Sequence, residues 1–160
     1  MTDADAMGAL GEDDVLALAA SAEQESEHPL AEAIVAGARE RGLELESPDS
    51  FENVPGKGVR ATVERGEVFV GSARLLEQFD IDPAPAGETR ERLESEGKTA
   101  MLVGLRPRDE SGQIDADGGR VIGVVADADT VKPSAKRAVR DLRERGLDVW
   151  MLTGDNERTA

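Results

Sequence analysis

The sequence predicts an α+β fold, a mainly antiparallel sheet flanked by helices, with a short α/β segment after it. Three observations carry this. Residues 58–72, GVRATVERGEVFVGS, alternate apolar and polar side chains around a central turn, the pattern of a hairpin. Two helical stretches come before it. After residue 128 a helix leads into a continuous apolar run, LDVWMLTG, which reads as a buried strand of a parallel unit.

The elements follow in chain order. Residues 1–12 are rich in acid and are expected to be a disordered N-terminus. EDDVLALAASAEQES opens on carboxylates, which suit a helix start, and Val15, Leu16, Leu18 and Ala19 form its apolar stripe. PLAEAIVAGARERG is the second helix. Pro29 fits a first helical position, Ser26 helps to cap it, and Gly42 ends it. Leu30, Ile34, Val35 and Ala38 share one face.

In the hairpin, Val59, Ala61 and Val63 face Val68 and Val70 across a turn placed at Arg65–Gly66. SARLLEQF is a short helix, and Pro83 and Pro85 mark the loop after it. GETRERLESEG is a helix. KTAMLVGL and VIGVVADA are strands joined by the polar loop RPRDESGQIDADGGR. TVKPSAKRAVRDLRERG is a helix with Pro133 in its first turn. The change of pattern places a boundary at 126–128, separating a domain over 13–126 from a partial segment over 127–160.

Composition removes several functions. The 160 residues include no cysteine and one histidine, so disulfides, thiolate sites and an imidazole metal cage are excluded. No apolar run approaches the roughly 20 residues of a membrane helix, and the N-terminus has no basic leader, so a cytoplasmic location is expected. With 34 acidic against 19 basic residues the net charge is -15, the wrong sign for nucleic acid. Only Lys57, Lys98, Lys132 and Lys136 are lysines. An acidic, lysine-poor surface points to adaptation to high salt, where screening relieves self-repulsion.

Four stretches are candidates for chemistry. The lone histidine, His28, lies in Ser26-Glu27-His28-Pro29-Leu30. The plain reading is a helix start. The functional one puts a neutral imidazole on the floor of a pocket, stacked on a flat base, with Glu23 accepting from an amino group of that base. Pro55-Gly56-Lys57-Gly58 is either a turn into the hairpin or bare backbone beside a ligand, with Lys57 close enough to attract phosphate. Gly71-Ser72 ends the paired strand and brings a second glycine to the same edge. Met151 to Asn156 ends an apolar run with Thr153, Asp155 and Asn156, at the strand end where open α/β sheets bind ligands.

Two tempting motifs fail. Glu96-Gly97-Lys98-Thr99 lacks the glycine a P-loop needs five residues before Gly97, where Arg92 stands. The acidic loop from Asp115 has Ala126 where a calcium loop needs a bidentate glutamate.

Taken in order, SEHPLAEAI, GKGV, VGS, EGKTAML, ADTVKP and MLTGDN resemble the heavy-metal-transporting P-type ATPases, of copper or zinc type, over nearly the whole chain after residue 12. The resemblance implies that residues 13–126 are a nucleotide-binding domain. It implies that 127–160 return the chain into a phosphorylation domain of haloacid-dehalogenase-like α/β fold. Glu23 and His28 would contact or orient adenine, and Gly56 and Gly58 would line the nucleotide cleft. Gly71-Ser72 stands where the family has Gly-Asn, so the shorter serine weakens that contact. Asp129 and Lys132 match a hinge element, and Thr153, Gly154 and Asp155 match the TGD element near the phosphorylation site.

The implied cofactors are ATP and the Mg2+ that travels with it. The implied partners are the phosphorylation, actuator and membrane domains of a pump. The family's phosphate-accepting aspartate, in a DKTGT motif, has no counterpart in these residues. The expectation is therefore a fragment that positions ATP without completing the cycle. A potassium-pump nucleotide domain is argued against by SEHPL, and two further rivals stand beside the leading reading. One is an acidic interaction module with little nucleotide binding, which Ser72 favours. The other, a small dehalogenase-type phosphatase, lacks a DxD nucleophile near its N-terminus.

Overall fold

The computed structural model describes residues 2–128 and 133–150. Six strands form one sheet in the order β1-β6-β5-β4-β3-β2, and each described pairing is antiparallel. They are β1 (Thr2–Ala6), β2 (Ser50–Val54), β3 (Gly58–Val63), β4 (Gly66–Gly71), β5 (Lys98–Pro107) and β6 (Arg120–Ala128). The helices are α1 (Glu12–Glu23), α2 (Pro29–Glu40), α3 (Ala73–Gln78), α4 (Gly87–Ser95) and α5 (Pro133–Glu144). A short 3-10 turn (Ala84–Ala86) leads into α4.

Period-two alternation gives the sheet two apolar faces. Val59, Ala61, Val68, Val70 and Val103 pack with Val15, Leu16 and Ala19 of α1 and Ile34 of α2. The alternate residues Phe69, Leu102 and Val124 pack with Leu75 and Leu76 of α3 and Leu93 of α4. A bulge opposite Val103 and Gly104 inserts an extra residue into β6, so Ile122 joins the α1 face while Val121 stays on the other. Beside it, Gly123 lets α1 come close: a Cβ there would lie 2.8 Å from Val15 Cγ1.

The structure changes four expectations. Residues 2–6 are not frayed; they form β1, paired with β6 from Thr2↔Asp127 to Ala6↔Gly123. Thr2 and Ala4 are buried, the Thr2 hydroxyl donates to Ala33 O at 3.0 Å, and Asp3 and Asp5 find Lys98 and Arg92. The acidic composition concealed an alternation of small inward residues with paired acids. The hairpin pairs Val63 with Gly66, so its two-residue turn is Glu64–Arg65 rather than Arg65–Gly66. The edge strand β2 was not expected, because SFENV is mostly exposed and carries little apolar pattern. Residues 147–150 of the expected buried strand carry no regular structure, and Trp150 is 90% exposed. A strand needs neighbours to complete its ladder, whatever its own hydrophobicity. Residues 151–154 of that run lie outside the described residues.

Candidate functional site

The α1–α2 turn, the β2–β3 loop, the end of β4 and the start of β5 converge on a cleft of about 690 Å³. The sheet positions them by register. Val54 pairs with Gly58, Gly58 with Gly71, and Gly71 with Leu102, so β2, β3 and β4 end together at one rim while β5 runs on past it through Lys98–Met101.

His28 is the N-cap of α2. Its Nδ1 accepts from Leu30 N at 3.2 Å, and Pro29 follows at the first helical position. The expected cap, Ser26, instead accepts from His28 N at 3.4 Å and so braces the capping residue. With Nδ1 accepting, Nε2 is the ring donor. The ring is exposed and lines the cleft.

Glu23, the last residue of α1, lines the same cleft while only 3% exposed. Burial pushes its carboxyl up to about 7 from an ordinary 4.5, against a smaller opposing pull from the Ser26 hydroxyl. Its place at the negative end of a helix also disfavours the anion. Its Oε2 is buried without a hydrogen-bond partner. A buried polar atom left without a partner is unusual in a folded chain.

The glycines divide into two kinds. Gly56 has φ +70 and open space where a Cβ would point. Gly58 and Gly71 are required by each other: a Cβ on Gly58 would meet Val70 O at 2.1 Å, and one on Gly71 would meet Lys57 O at 2.2 Å. Both line the cleft, but strand packing explains their glycine character. Lys57 also lines it, with its Nζ donating to Gln78 Oε1 at 2.5 Å. Ser72 is the N-cap of α3, makes no side-chain capping bond and lies exposed on the rim.

The structure thus brings Glu23, His28, Gly56, Lys57, Gly58, Gly71 and Ser72 to one place. Asp129, Lys132, Thr153, Gly154 and Asp155 lie outside the described residues. Sequence reasoning missed Asn53 of β2 and Thr99 and Met101 of β5, which also line the cleft. Strand ends carry no periodic signal, so only the register of β2 and β5 could have found them.

Residues 3–160 match the haloacid dehalogenase-like hydrolase family. The chain belongs to that family. Within it, the resemblance to heavy-metal P-type ATPases holds. The chain is 44% identical over 160 residues to a copper-transporting P-type ATPase of Rhizobium leguminosarum bv. viciae, covering all of this chain and 18% of that protein. The chain therefore spans about a fifth of the length of this curated relative. A crystal structure of a zinc-transporting PIB-type ATPase superposes with a TM-score of 0.64 at 30% identity, covering 98% of this chain and 24% of that one. The N-domain of a copper-transporting P-type ATPase superposes with a TM-score of 0.55 at 26% identity, covering 77% of this chain and 95% of that domain. The antiparallel α+β architecture of this haloacid dehalogenase-like chain is thus that of P-type ATPase N-domains. No helix among the described residues is long and apolar enough to cross a membrane. Nothing in the comparisons supports the expectation of salt adaptation.

Proposed function

We propose that this chain is the nucleotide-binding section of a heavy-metal P-type ATPase, with residues 13–126, completed by β1, as the binding domain and 127–160 as part of the phosphorylation domain. ATP enters the cleft base first. Adenine stacks on the His28 ring and meets Glu23, and the phosphates run out along Gly56, Lys57 and Gly58 towards Gly71 and Ser72, carrying Mg2+ with them. The observation that carries this reading is the pairing of a buried, unpartnered Glu23 Oε2 with an exposed imidazole on one cleft. The cleft also falls in the size range of small-molecule sites.

In the whole pump, closure of this section would bring the γ-phosphate to an aspartate outside these residues. Asp129, Lys132, Thr153, Gly154 and Asp155 would serve that closure and the phosphorylation site. The section works on the cytoplasmic face of the membrane, partnered by phosphorylation, actuator and membrane domains. Alone it binds ATP or ADP without turnover.

Titrating ATP into the chain while following amide NMR shifts tests the reading. Shifts confined to residues 23–30, 53–72 and 99–101 are expected. No shifts there at saturating nucleotide would leave the acidic interaction module as the better account, with exposed Ser72 in its favour.

A further inference from the structure

Asn53 lines the cleft from β2, and folding alone does not account for it. The other polar residues of that strand have partners on β3. Ser50 Oγ donates to Thr62 Oγ1 at 2.9 Å, and Glu52 Oε2 meets Arg60 Nη1 at 3.3 Å. Those two belong to one face of the sheet, and Asn53 belongs to the other with Phe51. Phe51 packs against the core beneath α1. Asn53 pairs with Val59, Val59 with Val70 and Val70 with Val103, and all three valines are buried. A polar amide thus ends an otherwise apolar row. It is exposed and has no hydrogen-bond partner among the described residues. Asparagine is disfavoured in strands, and no bond among the described residues offsets that cost.

Resting on the nucleotide reading above, we propose that Asn53 holds the sugar of the nucleotide by its 2′ and 3′ hydroxyls and makes the cleft selective for ribonucleotides. In that reading the phosphates run along Gly56, Lys57 and Gly58. Asn53 stands one row inward of the Val54–Gly58 pair. The sugar joins base to phosphates, so a nucleotide entering base first carries its sugar inward of the phosphates, beside that row. A carboxamide has an acceptor oxygen and two donor hydrogens, and each sugar hydroxyl both donates and accepts. The Asn53 oxygen accepts from one hydroxyl while its amino group donates to the other. A sugar without these hydroxyls leaves the amide with neither bond.

The neighbouring polar groups leave this contact to Asn53. Lys57 is engaged by Gln78. Ser72 N donates to Lys57 O at 2.8 Å, which sets Ser72 in the row outward of the Gly58–Gly71 pair, on the phosphate side. Thr99 lies on β5, three strand spacings from β2, about 14 Å across the sheet. The structural alternative is a solvated residue that discourages edge-to-edge pairing of β2. Glu52 already places a charge on that strand, and a residue with only that duty would be indifferent to the sugar of a ligand.

Calorimetry on the intact chain compares ATP with 2′,3′-dideoxy-ATP, in the unsubstituted protein and in Asn53→Ala. The unsubstituted chain should prefer ATP by roughly tenfold, the worth of two ordinary hydrogen bonds. Asn53→Ala should bind both nucleotides alike, at the affinity the unsubstituted chain has for the dideoxy compound. That shared value shows in the same experiment that the variant's cleft is intact. A preference for ATP that survives in Asn53→Ala overturns the sugar contact, and so does an equal loss of both nucleotides. Equal binding of the two by the unsubstituted chain overturns it as well. In these three cases ATP still binds the unsubstituted chain and the nucleotide site stands. Failure of both nucleotides to bind the unsubstituted chain overturns the sugar contact together with that site.

Discussion

The Nδ1 of His28 takes the main-chain N–H of Leu30 at 3.2 Å, so the chain's one histidine both starts a helix and faces the cleft. The two roles use different parts of the ring. The cap uses Nδ1, while Nε2 and the ring face remain for a ligand.

This separation can be measured. His28→Ala removes cap and ring, and is expected to cost about 1 kcal/mol of stability and to weaken ATP severalfold or more. His28→Asn supplies a good cap without the ring. It should melt close to the unsubstituted chain yet bind ATP as poorly as the alanine variant. Equal ATP affinity in the asparagine variant and the unsubstituted chain, by calorimetry, would remove the ring from the site.

Glu23 makes stability depend on pH in a direction opposite to most carboxylates. Its folded-state value of about 7 lies above its ordinary 4.5. Between those values the folded chain holds more protons than the unfolded one, so stability falls as pH rises. The contribution is fully present below about 4.5 and is lost as pH passes about 7. It amounts to roughly 3 kcal/mol. Urea unfolding of the unsubstituted chain and of Glu23→Gln at several pH values isolates it. The variant's relative stability should rise across that window, and a constant difference would contradict the argument.

Two glycines separated by Lys57 should respond differently to alanine. Gly56 has open space around it, so Gly56→Ala carries only the left-handed backbone penalty, about 1 kcal/mol. Gly58 has φ +142 and its added Cβ would lie 2.1 Å from Val70 O and 2.7 Å from Gly71 Cα. Gly58→Ala should cost about 3 kcal/mol or more, because backbone must move. Thermal unfolding of the two variants side by side gives the comparison.

On the opposite face of the sheet, Glu67 is 5% exposed and bridges Arg60 at 2.5 Å and Arg106 at 3.2 Å. The guanidinium of Arg60 lies 5.0 Å from the Phe79 ring centroid, and that of Arg106 lies 5.3 Å from the Phe69 centroid. Glu67→Ala leaves two cations together in a partly buried place and should cost about 3 kcal/mol or more. Replacing Glu67, Arg60 and Arg106 together by Leu and Met should recover much of that loss. Chemical denaturation of both variants tests the pair of expectations.

The central hairpin and the helices were legible because their burial repeats at a fixed period. Val68 and Val70 against Val59 and Ala61 could face only one way, and Ile34 with Ala38 marked the inner side of α2. β1 was hidden because Asp3 and Asp5 masked the inward alternation of Thr2 and Ala4. Their neutralisation by Lys98 and Arg92 depends on contacts more than 80 residues away in sequence. Glu23 and His28 could be picked out by type and spacing. The unpartnered state of Glu23 Oε2 could not, since it depends on how α1 and α2 close around the turn. Asn53 and Thr99 reach the cleft only through strand order, which no local pattern encodes.

Thr2 stands directly across from Asp127, so the first strand and the last of this sheet leave the same corner as neighbours. A body held by two adjacent ribbons resists twisting about either one and moves most easily as a flap about the line joining them. The same adjacency makes it a portable cassette. Spliced into an exposed loop of an unrelated host, the sheet would need its new anchor points only one strand spacing apart, about 5 Å.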